Sequence, residues 1–541
     1  MVCNHSRLVI IGTIVISSSI IGPPVPAADF DADGIADLAI GIPQEIVDGI
    51  DQAGSASVLF GTPAGLTATD NQLWDQDDLV VADGAEQSDR FGFSLAAGDF
   101  NGDGAIDLAA GVPYEDIGTA INGGAVHVVY GIHGQGLAAL GNQLWHQGSP
   151  GIDGAVESHD IFGLSVCAGD FNGDGFDDLA VGVPGEAIGD VNDAGAVNIL
   201  YGGPAGLSAV GNQLFYEGYA GLSGTPEAGD GFGQFLASGD FDGDGDGDLA
   251  ISIHGQTVGG FGSAGEVRTI YGSAQGLVGS SEQVWVQGSG GLPGIPEDVD
   301  QFGRSLASGD FNGDGLDDLA IGAPFENSSL QLNVGNITIL NGAVFGLTGA
   351  GSQVWWDQDA DIEGQINFGW TLVAGDFNHD ARDDLVVGIP NKHLGGIADA
   401  GAVELLYGTP AGLDRRSGVD DLWHQDRDNV FGAAEAEDQF GYAIAAGDFD
   451  GDTFADLAVG VPYEDIGSAD DTGAVNVLYG SAGGITATAN QIWYQDSPGI
   501  QGTPESLDHF GWALAAIPPS PLLFRDGFGG GDTGRWSSTG H

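Results

Sequence analysis

The chain is poor in positive charge: 11 Lys and Arg stand against 78 Asp and Glu among 541 residues, Lys392 is the single lysine, and the formal net charge is −67. A field of that sign disfavours nucleic acid and anionic membrane surfaces and favours cations or basic partners. Nucleic acid is therefore not expected as a partner. Cysteine is nearly absent as well, with only Cys3 and Cys167, so disulfides cannot be the staple of the fold. No segment reads as an amphipathic helix, and neither HExxH nor GxSxG occurs. The apolar run from Leu8 to Ile21, after Arg7, is too short for a membrane span. Followed by the small-residue stretch Val25-Pro-Ala27, it reads as a signal peptide over 1–27. The expectation is a secreted or cell-surface protein with no integral membrane segment after cleavage, and with Cys167 as its lone cysteine.

Acidic loops fill what these absences leave open. One nine-residue pattern begins at Asp29, Asp99, Asp170, Asp240, Asp310, Asp376 and Asp448, at spacings of 70, 71, 70, 70, 66 and 72 residues. Position three is Asp31, Asn101, Asn172, Asp242, Asn312, Asn378 or Asp450, and position five is Asp33, Asp103, Asp174, Asp244, Asp314, Asp380 or Asp452. Position nine is Asp37, Asp107, Asp178, Asp248, Asp318, Asp384 or Asp456. Calcium takes six to eight oxygens at roughly 2.3 to 2.6 Å, and alternating carboxylates converge on one point when the backbone turns sharply. Glycine at position six permits the turn in five loops, whereas Ala381 and Thr453 stand there in the sixth and seventh. Those two sites are expected to be weaker or empty. Position seven varies through Ile35, Ala105, Phe176, Asp246, Leu316, Arg382 and Phe454, as a ligand contributing only its backbone carbonyl would. An EF-hand needs Glu at position twelve, but that place holds Ile40, Ala110, Val181, Ile251, Ile321, Val387 or Val459. These 35 residues are the candidate calcium ligands. Turn chemistry without metal, which Asp, Asn and Gly also favour, is the competing reading.

Around each loop, short alternating runs follow one another four to a unit, as strands do. Units of about 70 residues with four strands read as blades of a propeller. Phe-Gly pairs sit at Phe91, Phe162, Phe232, Phe302, Phe368, Phe440 and Phe510, and the first six each precede a loop by eight residues. The loop at Asp29 has no Phe-Gly before it, and Phe510 has no loop after it. Pairing the two half-units closes an all-β ring of seven four-stranded blades and removes the exposed edges. The C-terminal strand would complete the first blade.

Phe-Gly, segments such as Ile321-Gly-Ala-Pro324 and the Asp-x-Asp-x-Asp-Gly-x-x-Asp loop together resemble FG-GAP repeats, which build the seven-bladed propeller at the head of integrin alpha subunits. The resemblance covers 28–516 and implies calcium in some of the loops. It also implies ligand contact on the face opposite them. That face would carry Tyr114-Glu115-Asp116, repeated as Tyr463-Glu464-Asp465, and Gly148-Ser-Pro-Gly, echoed by Asp496-Ser-Pro-Gly. No inserted or leg domain is seen, so integrin-type signalling is not implied. Trp74, Trp145, Trp285, Trp355, Trp423 and Trp493 recur in register and read as packing between blades.

With calcium near 1 mM and a Kd near 10⁻⁴ M, one site contributes about 1.4 kcal/mol, and seven contribute on the order of 10 kcal/mol. That rivals the stability of a whole domain, so the loops read as structural. The function expected is a monomeric, calcium-binding extracellular propeller that binds a protein or glycan ligand or mediates adhesion, and not an enzyme. The alternative is a polysaccharide- or lipid-directed hydrolase or lyase, for which Arg268, Arg304 and His254 are the candidates that break the repeat. The stretch 517–541, with Pro518, Pro519 and Pro521, reads as a flexible tail or sorting signal.

Overall fold

The computed structural model describes residues 28–80, 84–328, 332–357, 365–417, 421–427 and 429–516. The expected signal peptide and tail lie outside the described residues. The rest forms seven antiparallel sheets arranged as blades of a closed propeller, with one short 3-10 turn, Gln76–Asp78, as the only described helical element. The second blade shows the pattern in strands Ser94–Gly98, Asp107–Val112, Ala125–Ile132 and Gly136–Trp145, paired in chain order. The first strands of neighbouring blades touch one another, so they line the axis and the fourth strands lie outside. In the sixth blade the outermost strand is split into Gly412–Asp414 and Leu422–Trp423.

Closure happens in the first blade, as the half-units require. Ala513–Ala515 supplies its innermost strand and pairs antiparallel with Leu38–Ile42, with Ala39 opposite Ala515 and Gly41 opposite Ala513. The Phe510 N–H donates to the Thr472 carbonyl of the seventh blade at 2.8 Å. The same bond links Phe91 to Ala53 and Phe232 to Ala194 elsewhere in the ring, so the closing junction has the geometry of the others.

The core is a ring of phenylalanines. Each Phe-Gly phenylalanine and each loop's position-two residue, such as Phe30, Phe100 or Phe171, has no exposed surface. Burying one such ring contributes roughly 1.5 to 3 kcal/mol. The tryptophans end the fourth strands and pack against these clusters, as Trp74 does beside Phe91 and Ile106. Phe215 takes that place in the third blade. Cys167 lies half-buried in the innermost strand of the third blade, where burial pushes its thiol up to about 11.

Candidate metal loops and an aromatic mouth

Every acidic loop joins a blade's first strand to its second, so all seven lie on one face. Position one organises the turn. Asp29 accepts the Asp33 N–H with Oδ1 at 2.9 Å and the Gly34 N–H with Oδ2 at 2.8 Å. Position six is left-handed throughout, with φ of 100° at Gly34 and 87° at Gly104. Ala381 and Thr453 adopt it too, at 65° and 79°, and their N–H groups keep the bond to Asp376 and Asp448 at 2.8 and 2.9 Å. The sixth and seventh loops therefore have the turn of the others, at the price of strain that glycine avoids.

Position nine is the buried floor of the loop. Asp107 has no exposed surface; it accepts the Phe100 N–H at 3.0 Å and the Gly131 N–H at 2.9 Å. Asp37, Asp178, Asp248 and Asp456 accept the equivalent pair, and Asp318 and Asp384 accept from Gly342 and Gly408. Burial, opposed by these backbone donors, pushes Asp107, Asp178, Asp248 and Asp384 up to about 8, Asp318 to about 7 and Asp456 to about 9. Carboxyls so placed hold either a proton or a cation.

The oxygen set fits a hard cation best where position three is Asp. Carboxylate oxygens of Asp29, Asp31 and Asp33, of Asp240, Asp242 and Asp248, and of Asp448, Asp450 and Asp456 lie within 4.8 Å of one another. Where position three is Asn, the amide nitrogen of Asn101, Asn312 or Asn378 donates to the position-nine carboxylate at 3.0 to 3.3 Å. Rotating the amide brings its oxygen round instead, so those loops also fit. Asn172 accepts the Asp174 N–H at 2.9 Å.

Position seven has a second explanation that the sequence hid. Its side chain packs over the preceding blade's loop: a Cβ on Gly102 would lie 2.4 Å from Phe176, and one on Gly243 would lie 2.2 Å from Leu316. Where position four carries a ring, His379, it meets Phe454 at 5.5 Å between centroids. The loops are also joined by their backbones. Each position-eight N–H donates to the position-one carbonyl of the preceding blade: Ala36 to Asp448, Ile106 to Asp29, Asp177 to Asp99, Gly247 to Asp170, Asp317 to Asp240, Asp383 to Asp310 and Ala455 to Asp376, at 2.7 to 3.1 Å. The seven loops form one hydrogen-bonded ring.

At the other end of the innermost strands, the residue that follows Phe-Gly borders the axis. Phe93, Trp512, Tyr442 and Trp370 run ring to ring at 5.8, 4.9 and 5.9 Å across four blades. Arg304 continues the arc, stacked 4.2 Å from Trp370 and 4.4 Å from Phe235. Tyr114 and Tyr463 back it at 6.0 and 6.1 Å from Phe93 and Tyr442, so the tyrosine of the repeated Tyr-Glu-Asp segment belongs to this mouth. All of these side chains are half-buried. Of the three residues that break the repeat, Arg304 and His254 meet around Phe235, with His254 pushed down to about 4 by burial and then by Arg304. Arg268 lies apart, buried among Glu217, Glu266 and Glu282.

A model of the FG-GAP repeat matches 25–59, 91–129, 162–200, 302–340, 368–406 and 440–478. This is an FG-GAP repeat protein. The unmatched unit is the fourth, where Ser252-Ile-His254 replaces the Gly-x-Pro seen elsewhere. Among curated relatives, human phosphatidylinositol-glycan-specific phospholipase D is 33% identical over 188 residues, 34% of this chain and 21% of that protein. Integrin alpha-5 of Xenopus laevis is 32% identical over 205 residues, 36% of this chain and 17% of that protein. Integrin alpha-V of Gallus gallus is 29% identical over 232 residues, 41% and 18% of the two chains. The chain thus spans about a fifth of the curated relatives it matches. The solved periplasmic gluconolactonase PpgL of Pseudomonas aeruginosa aligns with 90% of this chain and all of its own, at 12% identity and a TM-score of 0.40. No helix of the described residues is long and apolar enough to cross a membrane.

Proposed function

We propose that this FG-GAP propeller is a secreted, calcium-binding module that acts by holding a protein or glycan ligand, without turnover, at the aromatic mouth opposite its acidic loops. The observation that carries the reading is the arc from Phe93 through Trp512, Tyr442 and Trp370 to Arg304 and Phe235. Half-exposed rings ordered around an axis offer large contact area at little conformational cost, and they suit sugar faces and basic side chains alike. Calcium in the opposite loops would fix the blades that hold the arc in place. The side chains at positions one, three, five and nine and the position-seven carbonyls are the ligands proposed for it, and the resident cation would supply charge neutralisation and nothing chemical.

The test uses the full chain on a glycan array and on immobilised extracellular matrix proteins, in about 1 mM calcium. Binding is expected for the wild type, lost in Trp512→Ala with Tyr442→Ala, and weakened by chelator. Turnover of a polysaccharide or glycolipid on the same panel, abolished by Arg304→Ala or His254→Ala, would overturn the reading in favour of an enzyme.

A further inference from the structure

On the face that carries the aromatic mouth, a second acidic set recurs between blades, and the repeat motif does not account for it. Where the seventh blade meets the first, Glu45, Glu505 and Asp508 bring carboxylate oxygens within 4.8 Å of one another. Gln495, just past the last strand of the seventh blade, donates Nε2 to Glu45 at 2.5 Å, while its Oε1 is buried without a donor. Asp508 is 1% exposed; it accepts the Glu505 N–H at 2.5 Å with Oδ2 and leaves Oδ1 buried without a donor. Burial and the neighbouring carboxylates push Glu45 up to about 8 and Asp508 to about 7. Buried oxygens left unpaired are expensive, and here Gln495, bonded to Glu45, and Asp508, clustered with it, each keep one.

Four other junctions repeat the glutamine–glutamate pair, but among the described residues only the junction at Glu45 brings three carboxylates within 4.8 Å of one another. Gln76 donates to Glu115, Gln147 to Glu186, Gln287 to Glu326 and Gln425 to Glu464, at 2.5 to 2.7 Å. In all four the glutamine Oε1 is again buried without a donor. Asp160, Asp300 and Asp438 stand near Glu186, Glu326 and Glu464 as Asp508 stands near Glu45.

The two remaining junctions lack that glutamate, and each contains a cation of the protein's own. Gln256 replaces it between the third and fourth blades, and the Arg268 guanidinium lies there 2.6 Å from Glu217. Lys392, the chain's single lysine, replaces it between the fifth and sixth, with Ile366 at the aspartate position, and pairs with Asp357.

We propose that Glu45, Glu505 and Asp508 with the Gln495 amide oxygen form a divalent-cation site of the calcium type, set between blades and separate from the Asp-x-Asp loops. Carboxylate and amide oxygens are the ligands a hard cation takes. An ion there does for the closing junction what Arg268 and Lys392 do for two others.

Equilibrium dialysis of the full chain counts bound calcium in the wild type and in the double variant Glu505→Gln, Asp508→Asn. The expected result is one ion fewer per chain, with the count at the Asp-x-Asp loops unchanged; an equal count overturns the proposal. The paired variant Asp29→Asn, Asp31→Asn reports separately on the loops, so failure of one set is distinguishable from failure of the other. Terbium soaked into wild-type crystals keeps the test independent of variant folding: an anomalous peak is expected among Glu45, Glu505 and Asp508, and a blank there overturns the inference.

Discussion

Two residues decide the loop face, and only one of them is acidic. Gly131 lies near the end of the third strand of its blade, where its N–H reaches Asp107, and a Cβ there would lie 2.3 Å from the Ile106 carbonyl. The six equivalents, from Gly61 to Gly480, meet the same carbonyl at 2.2 to 2.5 Å. Gly131→Ala is therefore expected to destabilise by about 2 kcal/mol or more, checked by urea denaturation against wild type. The position-nine aspartates predict a pH dependence. Six of them have folded values of about 7 to 9, and Asp37 is raised as well, all above the unfolded carboxyl, near 3.9. The stability they contribute as acids is thus complete below about pH 4 and lost as pH rises through their folded values. Chelated protein should melt progressively lower as pH rises across that window, and calcium should flatten the trend; differential scanning calorimetry with and without chelator checks both. The Asp-rich loops are legible in the sequence because their ligands are local. The glutamines and glutamates that meet across junctions are not, because Gln495 and Glu45 become neighbours only when the ring closes.

Among the elements, the closing strand tests the architecture. Its place was readable from Phe510, since the fixed offset of eight residues left one Phe-Gly without a loop and one loop without a Phe-Gly. What the sequence did not reveal is the ring of backbone bonds between loops, which involves N–H groups that any residue carries. It also disguised position seven as free variation, although Phe176 and Leu316 there fill space above Gly102 and Gly243. A chain ending at His509 loses Phe510 and Ala513–Ala515 and bares the edge of Leu38–Ile42, an invitation to pair with another chain. Light scattering after size exclusion is expected to find dimers or larger species. A chain ending at residue 516 should elute as the full-length protein does.

For the whole molecule, charge and circularity act together. The net charge of −67 leaves 54 acidic residues outside the ligand positions one, three, five and nine of the loops, so repulsion opposes compaction. Raising sodium chloride from about 0.01 to about 0.15 M shortens the screening length from about 30 to about 8 Å. The melting temperature of chelated protein should climb over that range, and a flat response would mean that the surface charges are too dispersed to matter. The latch has a mechanical meaning as well. Ala39 lies opposite Ala515 in an antiparallel pair, so tension applied to the two ends of the propeller peels three residue pairs apart one after another instead of shearing them together. Resistance to such a pull falls instead on the loop at Asp29, tied to its neighbours through Ala36 and Ile106. A cation in that single loop would set the force at which the ring opens.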